Sequence, residues 1–171
     1  TVLTAALLAS DGFSDDALRR DAALLEVSGP GESALEPSLG MGPYAVETLD
    51  YGPGGALPEA GTVDLTPYMD RDTGDLAGNY VDAYLDYELD RTPLTGRVWY
   101  PAEGENCPLL VIAHGNHEIT TDSYLGYAYL GEYLASHGYA VASVDQNACN
   151  LLTNENDGRA VLLLEHIGLL L

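Results

Sequence analysis

Four consecutive residues, His114-Gly115-Asn116-His117, carry the densest chemistry in the chain. They follow directly on the apolar run Leu109-Leu110-Val111-Ile112-Ala113. The glycine lets backbone N–H groups approach a ligand closely, which suits the stabilisation of an oxyanion. Two histidines three apart on a loop could also reach one metal ion, but no third ligand is visible: Glu118 is adjacent and not at a recognised zinc spacing. For His114 the plainer role is a side chain that hydrogen-bonds neighbouring loops and shapes the turn. Asp145, after a second apolar run over 139–144, is placed to hold the loop behind it by side-chain-to-backbone bonds.

The remaining nucleophile and base types fall in poorer positions. Ser123 and Ser136 open and close a predicted helix and Ser143 lies inside a predicted strand, so none has the exposed elbow geometry that nucleophilic catalysis needs. His137 reads as a turn residue at the amino ends of the strands, and His166 as a partly buried helix histidine. Asp70, Asp72 and Asp75 cluster around Gly74 and invite a calcium-loop reading. An EF-hand loop wants an oxygen ligand where Gly74 stands and an acid where Val81 stands, so a solvated acidic turn is the simpler account.

The elements that must position these residues read as an α/β arrangement. Two apolar segments without polar alternation, 109–113 and 139–144, suit parallel strands covered on both faces. Residues 124–136 between them predict the crossover helix, with Tyr127, Leu130 and Leu134 on one face and Gly138 as its stop. The unit is βαβ, and ligands in open α/β sheets bind at the carboxyl ends of strands, where residues 114–117 and Asp145 stand. Upstream, 43–51, 80–87 and 94–100 are strand candidates that form an antiparallel lead into the sheet. A last helix, capped by Asn156 or Asp157, predicts a wide apolar face of Ala160, Leu163, Leu164, Ile167 and Leu171. Residues 1–40 form a separate section, a helix over 13–27 capped by Ser14 and then a Gly/Ser/Pro/Glu linker; residues 41–171 form the domain.

Composition bounds the partners. The formal net charge is −21, from 27 acidic residues against 6 basic ones, all arginine. Such a field repels nucleic-acid phosphates and anionic lipid headgroups. It fits a salt-adapted protein or an acidic secreted one, so secretion and a halophile cytoplasm both stay open. No apolar run approaches the ~18 residues of a membrane span, so the chain is expected to be soluble. Residues 1–10 read as the tail of a signal peptide, though without a basic stretch or initiating Met, or as a short helix. Cys107 precedes the first apolar strand and Cys149 follows the second, roughly 20 Å apart at strand rise. A disulfide needs Cα atoms within about 7 Å, so two free thiols are expected.

Three stretches, "PLLVIAHGNH", "YLGEYLASHGYAVASVDQN" and "NDGRAVLLLEHI", in this order resemble the α/β-hydrolases, in particular cutinase-like polyester hydrolases and their dienelactone-hydrolase and platelet-activating-factor-acetylhydrolase relatives. The resemblance spans about residues 41–171 and is most specific in "LASHGYAVASVD". It implies the amino-terminal part of an α/β-hydrolase sheet, truncated before the nucleophile elbow. It also implies that the loop at His114 and Gly115 supplies one oxyanion-hole donor, the backbone N–H of Asn116. The family's serine sits on a G-x-S-x-G elbow, and no such motif occurs in these residues. The implied activity is carboxylic-ester hydrolysis on a small or polymeric ester by a parent enzyme without a cofactor or metal, with this portion alone inactive. The alternative is a non-catalytic binding or assembly module. In the family's sheet order the strand at 109–113 is flanked by the elbow strand, so its edge would be bare here and open to a second copy.

Overall fold

Four strands pair into one mixed sheet in the computed structural model, which describes residues 40–69, 78–79, 81–150 and 156–171. The elements named here run β1 (Val46–Tyr51), β2 (Thr62–Val63), β3 (Thr92–Pro93), β4 (Gly96–Pro101), β5 (Leu109–Ala113), α1 (Ala128–Ser136), β6 (Ala140–Val144) and α2 (Asn156–Leu170). The sheet order is β1-β4-β6-β5. β1 and β4 are antiparallel, β4 and β6 are antiparallel, and β5 and β6 are parallel, so the chain is mixed α/β with an antiparallel lead into a βαβ unit. β2 and β3 form a small two-stranded sheet of their own. The predicted helix over 13–27 and the cluster Asp70, Asp72 and Asp75 lie outside the described residues.

Each face of the sheet carries its own core. On one, Trp99, Val141 and Ala135 are buried together, with Leu110 and Ile112 packed against them. Gly131 of α1 makes this possible: a Cβ there would lie 2.4 Å from the Trp99 ring. On the other face, Leu65, Val81, Leu89, Val98, Ala142 and Leu162 are buried, with Leu109 and Val111 alongside. Tyr51 also belongs to this face and lies across Gly96, its partner in the register; a Cβ on Gly96 would lie 2.5 Å from the Tyr51 hydroxyl oxygen.

Several expectations are corrected. The strand expected over 80–87 is a helical turn at 81–84, closed by the Leu85 N–H donating to the Val81 carbonyl at 2.8 Å. Val81 and Leu85, four apart, face the core cluster while Asp82, Ala83 and Tyr84 are exposed, a helical period that overrides apparent alternation. The crossover opens as a 3₁₀ turn (Ser123–Tyr127) before α1, and the fully buried residues of α1 are Gly131, Ala135 and Ser136; Tyr127, Leu130 and Leu134 are half-buried. Helix α2 is rotated relative to expectation: Gly158, Leu162 and His166 are buried, whereas Ala160, Leu164 and Leu171 are exposed and Leu163 and Ile167 half-buried. Its first turn packs Gly158 against the Met69 and Cys149 side chains. β6 is buried as expected, but among the described residues β5 is the edge strand, and all five of its residues are half-buried. Gly138 stops α1 with φ 100°, and Cys107 and Cys149 are free thiols.

Candidate functional site

Parallel pairing puts the ends of β5 and β6 in register, Ala113 beside Val144, so His114 and Asp145 emerge side by side. His114 is 3% exposed. Its Nε2 accepts the Gln146 backbone N–H at 2.9 Å, and since an amide N–H can only donate, the neutral ring carries its proton on Nδ1. That Nδ1–H donates to the Gly115 carbonyl at 2.8 Å. Asp145 Oδ1 lies 3.5 Å from Nε2, a contact between two acceptors in this tautomer that becomes an ion pair only on a protonated ring. The carboxylate is instead engaged by the Asn147 backbone N–H at 2.9 Å.

The His114–Gly115 bond fixes a peptide plane. A trans peptide points its C=O and N–H in opposite directions. With the Gly115 carbonyl drawn onto the imidazole, the Asn116 N–H is turned away from it. The loop beyond is anchored by Ile119, 4% exposed, and by the Thr121 carbonyl, which accepts from Asn147 Nδ2 at 2.9 Å. His117 is exposed, its ring centroid 6.0 Å from that of His114. Both nitrogens of His114 face backbone groups, so the pair does not present two lone pairs to one ion, and among the described residues no group of three His, Cys, Asp or Glu is placed to hold a metal.

No protein-family model, curated protein or solved structure matches the chain.

Of the other candidates, Ser143 is fully buried with its Oγ unpartnered. Ser136 Oγ donates to the Tyr133 carbonyl at 2.6 Å and accepts the Gly42 N–H at 2.8 Å. His137 is exposed, its ring tilted against that of Tyr133 with centroids 4.5 Å apart. None of the three is brought to the 114–117 loop. A depression of about 620 Å³ among the described residues is lined by Asp82, Leu85, Asp86, Tyr87, Glu88 and Arg91 and by no residue of that loop.

Two groupings escaped the sequence reading. The first is the polar network behind Asp145. Arg159 of α2 donates to the Cys149 carbonyl at 2.8 Å and to Asn150 Oδ1 at 3.0 Å, and Gln146 Nε2 donates to the Arg159 carbonyl at 3.1 Å. The only signal was a lone arginine near a helix start below an amide-rich loop. The second is the aromatic surround of Asp145. Burial raises the Tyr51 and Tyr87 hydroxyls, with Asp145 adding to the shift, and pushes Tyr124 up to about 12 with help from Asp122 and Asp145. All three stay protonated donors at any ordinary pH. Nothing in tyrosine spacing announced this.

Proposed function

We propose that this chain carries the oxyanion loop of a serine carboxylic-ester hydrolase whose nucleophile lies outside these 171 residues. The observation behind the reading is the peptide plane after β5: the Gly115 carbonyl is tied to His114 and the Asn116 N–H is directed the other way, at the strand end where ligands of α/β sheets bind. A donor so fixed would stabilise the tetrahedral anion of acyl transfer by about 3 kcal/mol, without reorganising during the reaction. His114 serves as the fixing residue and Asn116 as the donor. The acyl-enzyme serine, the second donor and the triad histidine have no counterpart at this loop, since no G-x-S-x-G occurs and Ser123, Ser136 and Ser143 stand elsewhere.

Incubation of this chain with a short-chain p-nitrophenyl ester tests the assignment. The expected result is no turnover above background; turnover blocked by a serine-directed phosphonate would overturn it. Reading the coding sequence past Leu171 gives the complementary test, with G-x-S-x-G expected within about twenty residues.

A second reading, a non-catalytic assembly module, is favoured by the position of β5. Its apolar strand has no charge, proline or bulge, and among the described residues only β6 pairs with it. An uncovered edge of that kind recruits another strand or aggregates. A stable dimer in dilute buffer by size-exclusion with light scattering supports the module; a clean monomer argues against it.

A further inference from the structure

We propose that the carboxyl-terminal half of α2 is an acid-released flap, held on the sheet by His166 and let go when that ring takes up a proton. The two halves of the helix are attached by different chemistry. In the first, Gly158 sits against Met69 and Cys149, Leu162 is 1% exposed, and Arg159 ties into the carbonyl of Cys149 and the amide of Asn150. Over 163–170 the one fully buried residue is His166, while Leu163, Ile167 and Leu170 are half-buried and Leu164, Glu165 and Leu169 exposed.

His166 is 0% exposed. The Tyr51 hydroxyl, protonated throughout, shares a hydrogen bond of 2.9 Å with its Nδ1, and among the described residues Nε2 has no partner in hydrogen-bonding geometry. The neutral ring is therefore accommodated, whereas a second ring proton would put a full charge into a site closed to solvent. Among the described residues, the titratable groups acting on this ring are Tyr51 from β1 and Asp145 from the end of β6, and Asp145 also acts on Tyr87; Glu165 on α2 itself is exposed. Asp145 favours the protonated ring through both its charge and its backbone, but burial is the larger effect and pushes the imidazole down to about 4 from 6.5.

The sign follows. Above 6.5 the ring is neutral whether docked or released, so pH has no leverage. Between 6.5 and about 4 only the released ring protonates, so falling pH favours release; below about 4 both states are protonated and the effect saturates. With those limits the released fraction rises about 20-fold between pH 7 and pH 5.

Hydrogen exchange on the full chain, corrected for intrinsic rates, reads this residue by residue. Protection of amides 163–170 should fall about 20-fold from pH 7 to pH 5, while 158–162 and β6 hold. Tyr51→Phe, which keeps the ring buried, should retain the response, and His166→Gln should abolish it. Unchanged protection over 163–170, an equal loss across α2 and β6, or a response that survives in His166→Gln would each overturn the proposal. Should His166→Gln not fold, an NMR titration of the wild-type His166 ring decides: a midpoint held well below 6.5 supports the flap, and a midpoint at 6.5 sinks it.

Discussion

His114 commits both ring nitrogens to backbone groups, Gln146 on one side and Gly115 on the other, and so staples the loop after β5 to the loop after β6. Replacing it by leucine keeps the volume and removes both bonds. The buried Gln146 N–H then has no acceptor, and we expect a loss of about 1–3 kcal/mol in urea unfolding. A change within ±0.5 kcal/mol would contradict the staple. At this scale the sequence located the groups without their wiring. The HGNH run was legible because an apolar strand stops there abruptly, but the Gln146 partner lies 32 residues on and nothing local marks it. The Tyr51–His166 contact spans 115 residues, and Arg159 likewise depends on how helix and loop are rotated in space.

Elements were legible where their apolar period was unambiguous. β5, β6 and the helix between them follow from two uninterrupted apolar runs around one helical stretch, and Gly138 stops α1 where expected. Residues 81–87 were misread because Val81, Ala83, Leu85 and Tyr87 satisfy a period of two as well as Val81 and Leu85 satisfy a period of four; only the core cluster chooses. Helix α2 was misjudged for a related reason: leucines line most of its circumference, so glycine at 158 and histidine at 166, not the leucine count, set which side faces in. Two glycines test this account of helix contacts. Gly131→Ala gains roughly 1 kcal/mol of helix propensity. It also drives a methyl to 2.4 Å from Trp99, and overpacking of that kind costs about 1–3 kcal/mol. We expect a net lower melting temperature. Gly168→Ala, with nothing within 4 Å, should raise stability by about 0.4–1 kcal/mol. Equal effects at the two sites would contradict the account.

Across the whole molecule, charge sets the conditions under which the fold holds. A net −21 repels itself over distances that salt shortens from about 10 Å at 0.1 M to about 3 Å at 1 M. The attractive counterweight is small. Arg97 and Asp50 form a bidentate pair at 2.5 and 2.7 Å, and Arg97 holds the Asp50 carboxyl below its usual range, but their side chains are 30% and 46% exposed. Pairs in such positions contribute at most about 1 kcal/mol. Repulsion therefore dominates, and thermal melts should move upward as KCl rises from 0.1 to 1 M; a flat or falling midpoint would show that local ion pairs outweigh the field.

Tyr51 can lie over β4 only because residue 96 has no side chain, and its hydroxyl then meets His166 on α2. The three positions form one interlocked unit spread over 115 residues of sequence. A side chain at 96 evicts the tyrosine, and an evicted tyrosine leaves the imidazole without that hydrogen bond. In descendants of a common ancestor, 51, 96 and 166 should therefore be exchanged together or kept together, whatever the surface around them does.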